Sequence, residues 1–198
     1  MKVSIVKYNA GNIYSVVNAL KRLGVEPLLT DDAETLMSSD RVIFPGQGHA
    51  RVTMEYLREH HLDQLIRDLR QPVLGICVGQ QLLCRHSEEG DTDCIGIFDL
   101  PVKRFVPTCH EDKIPQMGWN SIYNLRTPLF EGLTERDYVY FVHSYYVPFS
   151  EEHTIATADF TLPYSAALHK DNFYTCQFHP EKSGNVGERI IKNFMSLP

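Results

Sequence analysis

A chain of 198 residues, 43% hydrophobic and 22% charged, is long enough to bury a sizeable core within one domain and has a globular composition. A net charge of -6 without any basic run argues against general nucleic-acid binding, and the longest apolar runs are strand-sized, too short for a membrane helix. The first residues, MKVSIVKYNAGN, lack the apolar centre and small-residue cleavage site of a secretion signal, so a cytoplasmic location is expected. Five cysteines with no CxxC spacing favour neither a zinc site nor a dithiol redox site, and at this chain length a disulfide framework is not expected.

In chain order, Lys2 to Tyr8 reads as a strand, and Asn12 is placed to cap a helix whose apolar face is Ile13, Val16, Val17, Leu20 and Leu23, with Gly24 ending it. The segment VEPLLT is a second strand, its Pro27 suggesting a sheet edge, and Arg41 to Phe44 is a third. One long amphipathic helix fits Val52 to Leu69. Pro72 to Ile76 is a fourth strand, followed by a helical unit over Val78 to Ser87. This alternation implies parallel strands with helices on both faces. The second half is richer in aromatic and β-branched residues at period two: IGIFDLPVKRF, YVYFVHSYYVPF, TIATAD, YSAALHK and NFYTCQFHP, then a closing helix over Val186 to Met195. The expected fold is a single α/β domain over residues 1–198, with a mostly parallel central sheet and a smaller antiparallel extension.

The chemistry begins at GICVGQ. An apolar strand runs into a helix at Cys77, flanked by Gly75 and Gly79, which is the logic of a nucleophile elbow with cysteine as the nucleophile. The glycines suit a tight turn where neighbouring backbone comes close, the helix start favours a thiolate, and the Val78 amide can stabilise an oxyanion. Alone, the motif also fits a buried strand-end cysteine, so it needs a base. His60 and His61 read as solvated helix residues; His143 and His179 each follow an apolar strand. In QFHPEKSG, His179 ends an aromatic strand and Glu181 stands two residues on, on the same side if the segment is extended, where a carboxylate can fix the imidazole tautomer and raise its basicity. The PGQG loop, with Gly46 and Gln47, ends another strand and can offer a second oxyanion amide; it matches neither GxxxxGK[ST] nor GxGxxG.

GICVGQQLL, FHPEKS and FPGQGHA together resemble the class I (triad) glutamine amidotransferases. YNAGNIYSV, SEEG, PQMGWN and YFVHSYY are similar to the glutaminase subunits of imidazole glycerol phosphate synthase in that family, and the resemblance covers essentially the whole chain. It implies a Cys77–His179–Glu181 triad, an oxyanion hole from the Val78 amide and the Gly46–Gln47 peptide, and an L-glutamine pocket formed by Gln81, Glu89, Ser144 and Tyr145. It implies that Asn12, Trp119, Tyr140 and Lys182 face a (β/α)8 cyclase subunit that receives ammonia in a heterodimer, that no metal or organic cofactor takes part in glutamine hydrolysis, and that neither nucleic acid nor membrane is a partner. Gln47 stands where the family loop commonly has an apolar residue, and Gln80 where methionine is common, beside Gln81. Alternatives at this level are another glutaminase subunit, such as that of pyridoxal phosphate synthase, which carries GGES rather than PGQG, a cysteine peptidase on a related fold, and a non-catalytic regulatory module.

Overall fold

Mostly apolar runs without regular polar alternation belong to strands covered on both faces, and VSIV, RVIF and VLGI form such strands in the computed structural model, which describes residues 1–8, 13–110 and 112–198. They are β1 (Val3–Val6), β3 (Arg41–Phe44) and β4 (Val73–Ile76), joined in a parallel sheet by β2 (Leu28–Thr30) at one edge and β13 (Phe173–Cys176) on the other side of β4. Two antiparallel strands, β12 (Pro163–Lys170) and β11 (Thr154–Asp159), extend the sheet past β13, giving the order β11-β12-β13-β4-β3-β1-β2. The VEPLLT strand is therefore the edge that Pro27 suggests.

The second half also builds smaller sheets. A four-stranded one has the order β10 (Tyr145–Tyr146), β7 (Phe98–Arg104), β5 (Cys84–Ser87), β6 (Thr92–Asp93), and a two-stranded one pairs β8 (Gln116–Ser121) with β9 (Tyr138–His143). Strand β8 lies in the PQMGWN segment, whose glycine and polar residues hide it from a periodicity reading. Helices α1 (Tyr14–Arg22), α2 (Ala33–Met37), α3 (Ala50–Glu59), α4 (Leu62–Asp68), α5 (Val78–Leu83) and α6 (Gly184–Ser196) complete the fold. The expected cap Asn12 lies outside the described residues.

The expected helix over Val52 to Leu69 is two helices. At about 100° per residue, an unbroken helix would put Ala50, Met54 and Leu57 on one azimuth and Leu62, Ile66 and Leu69 roughly 120° round from it. All six are buried, and one straight helix cannot turn both stripes to the same core. The break falls at His61, which takes a left-handed conformation (φ 56°), while the His60 ring stacks on Tyr56. The helical unit expected to reach Ser87 stops at Leu83. Cys84 turns extended (ψ 177°), and Cys84–Ser87 becomes strand β5, buried at both ends and with a register irregularity against β7 between Cys84 and His86.

Close approach of backbone to backbone fixes the carboxyl ends of β3 and β4. A Cβ on Gly79 would overlap the Phe44 carbonyl, and one on Gly46 would overlap the Gly79 amide. Because both walls are main chain, Gly79→Ala is expected to destabilise the protein by about 3 kcal/mol, the upper end for overpacking. Chemical denaturation of the variant checks this, and an unchanged midpoint would show that the approach is not tight.

Candidate active site

The parallel register between β4 and β13 sets Ile76 opposite Cys176, and the ladder continues one step further: the Cys77 amide donates to the Cys176 carbonyl at 2.7 Å. Cys77 then leaves the strand with φ 53° and ψ −110°, a sparsely populated conformation for a residue with a side chain. Its carbonyl accepts from the Gln80 amide at 3.0 Å as α5 begins. The elbow expected from the sequence is thus present, with a strained turn holding a cysteine that is 5% exposed.

His179 arrives three residues after the end of β13, and its amide donates to the Tyr140 carbonyl at 2.9 Å. Pro180–Lys182 forms a 3-10 turn rather than extended chain, so Glu181 reaches the ring by curling back, not by strand alternation. The contact is made all the same: Nδ1 and the Glu181 Oε1 are 2.7 Å apart, both groups buried. The Ser183 hydroxyl donates to the His179 carbonyl at 2.7 Å and accepts from the Tyr140 amide at 3.0 Å, fixing the turn. Nε2 is buried without a hydrogen-bond partner, and His179 lines the cavity that holds Cys77. Burial opposes charge on this ring, but the Cys77 sulfur and then the Glu181 carboxylate outweigh it and raise its pKa to about 10.

That cavity, of roughly 310 Å³, brings together Cys77, His179, Gly46, Gln47, Val78, Gln81, Glu89, Ser144 and Tyr145 from segments up to 133 positions apart. Gln81 is held by its Nε2, which donates to the Tyr145 carbonyl and to Gln177 Oε1, both at 3.0 Å. The Glu89 carboxylate accepts from the Ala50 amide at 2.7 Å, capping α3, whose own cap residue His49 makes no side-chain cap bond. Gln80 turns the other way. It is fully buried, donating to the Ser165 carbonyl at 3.1 Å and accepting from the Thr175 hydroxyl at 2.7 Å, so the departure from methionine is absorbed in the core, outside the glutamine pocket that the resemblance implies.

Four residues that sequence reasoning did not place complete the site. His143 lines the cavity, but burial drives its pKa down to about 4, which keeps it neutral; its Nδ1 lies 2.7 Å from the Tyr145 carbonyl. Pro115 lines the same cavity and also a neighbouring surface cavity that includes Trp119. Tyr8, in the YNAGN segment, is buried, and its hydroxyl donates to the Pro45 carbonyl at the base of the PGQG loop. Gln177 lies between Gln81 and Cys77. Trp119 (56% exposed) and Tyr140 sit outside the cavity, on the solvent face of the β8–β9 pair, with ring centroids 6.0 Å apart, and Lys182 is half-buried at the 3-10 turn. Among the described residues no three His, Cys, Asp or Glu side chains gather as a metal-holding group, and no helix is long and apolar enough to cross a membrane.

A cysteine on a strained turn, a buried His–Glu pair and backbone amides around one pocket suit acyl transfer. Comparisons with known proteins point the same way. The family model described as Glutamine amidotransferase class-I matches residues 5–197. The chain is 63% identical over 197 residues to the imidazole glycerol phosphate synthase subunit HisH of Bacteroides fragilis (strain YCH46), and 42% identical over 199 residues to that of Escherichia coli (strain K12), with 100% of both chains covered in each case. In fold it is similar to the crystal structure of a glutamine amidotransferase from Thermotoga maritima, with a TM-score of 0.64 and 16% identity over 99% of this chain and 83% of that one.

The raised pKa has a thermodynamic consequence. Because the folded value lies above the unfolded value near 6.5, the stability contributed by His179 protonation is fully present below pH 6.5 and is lost as pH rises towards about 10. A histidine NMR titration should find the His179 ring charged through neutral pH and show its midpoint falling in Cys77→Ala. An unchanged midpoint in that variant would rule out the sulfur as the cause.

Proposed function

Because the chain belongs to the class-I glutamine amidotransferases, and within them to the HisH subunits of imidazole glycerol phosphate synthase, we propose that it hydrolyses L-glutamine through a Cys77–His179–Glu181 triad and delivers the ammonia to a synthase subunit. The observation that carries this reading is the convergence of the Cys77 elbow and the buried His179–Glu181 pair in one cavity with Gln81 and Glu89. The chain acts as one catalytic domain over residues 1–198, in keeping with the buried apolar cluster that, among the described residues, runs from Val3 to Leu197.

The Cys77 thiolate adds to the side-chain amide carbon of glutamine. The resulting oxyanion is held by the Val78 amide and an amide of the Gly46–Gln47 peptide; loss of one such donor costs about 3 kcal/mol of transition-state stabilisation. The carbon–nitrogen bond breaks as the His179 imidazolium gives its proton to the leaving nitrogen, releasing ammonia and leaving a γ-glutamyl thioester. Water then attacks that carbon, His179 takes its proton, and the sulfur leaves with glutamate released. Glu181 holds the imidazole in the tautomer that presents Nε2 to the sulfur. No step calls on a metal or organic cofactor.

The partner in this reading is the (β/α)8 cyclase subunit, in a heterodimer, where ammonia enters imidazole ring formation. The β8–β9 pair supports the placement of that interface. Met117, Trp119 and Tyr138 are exposed on one face beside Tyr140, while Val139, Phe141 and His143 face the core. Such an exposed aromatic cluster is unusual on a free surface and suited to a partner.

Cys77→Ala should abolish glutamine hydrolysis and leave partner binding intact; persistent turnover would remove the central assignment. Added cyclase subunit should raise glutamine turnover, because the Gly46–Gln47 peptide needs the partner to orient it; equal turnover with and without the partner would contradict this. Trp119→Ala should weaken the complex by about 2 kcal/mol, roughly 30-fold in dissociation constant, as for a central aromatic anchor. Titration calorimetry reads that change, and wild-type affinity would move the interface elsewhere.

A further inference from the structure

Gln177 is 0% exposed, and its side chain contacts two parts of the site at once. Its Nε2 donates to the Cys77 sulfur at 3.8 Å, and its Oε1 accepts from Gln81 Nε2 at 3.0 Å. The position follows from the sheet: β4 and β13 run parallel with Ile76 opposite Cys176, so residue 177 comes up beside residue 77. The Gln177 amide donates to the Ala166 carbonyl at 2.8 Å, which pins the backbone to the neighbouring strand β12 and leaves the side chain directed at the site. A buried carboxamide held at both ends has little freedom to leave either partner, since an unpaired polar group in the core carries a desolvation penalty.

We propose that Gln177 is a positioning residue for glutamine hydrolysis: its amide group orients and stabilises the Cys77 thiolate while its carbonyl holds Gln81 in the pocket. A donor aimed at sulfur favours the anion over the neutral thiol. The anchored Gln81 has its amide nitrogen shared between Gln177 and the Tyr145 carbonyl, so the group that touches substrate and the group that attacks it are tied through one side chain. The other cysteines lack this arrangement. Cys84 and Cys176 are fully buried, and burial drives both thiols up, Cys84 beyond the usual range and Cys176 well above it. This role rests on the reading of Cys77 as the nucleophile.

The test uses Gln177→Glu, which keeps the shape but replaces the donor with an acceptor, and Gln177→Met, which keeps the volume and removes both polar ends. The readout is the pH dependence of iodoacetamide alkylation at Cys77, followed by peptide mass spectrometry in the full-length protein, together with glutamine kinetics and thermal unfolding. In Gln177→Glu the alkylation midpoint should move up by about one pH unit, so that alkylation on the acid limb slows roughly tenfold. In Gln177→Met the midpoint should also rise, with KM up and kcat down because Gln81 keeps only its bond to the Tyr145 carbonyl. A purely structural role would lower the unfolding temperature and leave the midpoint of the folded protein where it is in wild type; that result overturns the proposal. Should both variants fail to fold, the wild type still decides. The side-chain amide resonances of Gln177 should shift with the same midpoint as Cys77 alkylation, and resonances that stay fixed through that pH range refute the contact. Cys77→Ala run in parallel separates the two levels. Surviving glutamine turnover there removes the nucleophile itself, whereas lost turnover with an unmoved midpoint in Gln177→Glu removes only the role given to Gln177.

Discussion

The site depends on one pairing, the parallel register of β4 and β13. It sets Gly75 beside Thr175 and Ile76 beside Cys176, and everything reactive lies just past the ends of those two strands. From β4 the chain turns sharply at Cys77; from β13 it continues through Gln177 and Phe178 to His179. A one-residue slip would flip the alternating side chains to the opposite face of the sheet and separate sulfur from imidazole. Both strands are central and buried, so the register is protected by the core. The third wall comes from β3, whose PGQG loop contacts the elbow main chain because residues 46 and 79 carry no side chain.

Around this frame the charges are arranged asymmetrically. Two buried histidines line the same cavity and take opposite states. His143 lies within hydrogen-bond distance of a backbone carbonyl and a tyrosine hydroxyl, and burial, helped by the charge on His179, keeps it neutral. His179 is also buried but stands between the Cys77 sulfur and Glu181, which holds its proton. Neighbouring groups, rather than depth alone, decide which imidazole can act as acid and base.

Much of this was legible in the chain itself. The elbow pattern Gly-x-Cys-x-Gly at the end of an apolar run fits a buried strand-end cysteine equally well when taken alone; what singles it out is His179 with Glu181, close enough in sequence for their pairing to be read locally. What escaped reading depends on non-local geometry. Gln177 sits in a strand-end stretch where nothing in the local pattern marks it, and its role appears only once β13 is laid beside β4. Tyr8 meets Pro45 through the packing of β1 against β3. The break at His61 required comparing two apolar stripes by angle, and β8 was hidden by Gly118 and by the polar residues Gln116, Asn120 and Ser121. Gln80 shows the converse: a polar residue at a core position looked disturbing beside Gln81, yet its carboxamide is satisfied on both ends by Ser165 and Thr175.

The central claim is that one sulfur among five carries the acyl group. Treating the protein, with the proposed cyclase partner present, with a diazo-ketone analogue of glutamine and mapping the product by peptide mass spectrometry tests this most directly. The account predicts a single glutamyl-like adduct on the peptide carrying Cys77 and loss of glutamine turnover in step with its formation. An adduct on exposed Cys109 instead, or full turnover after Cys77 has been blocked, would contradict it.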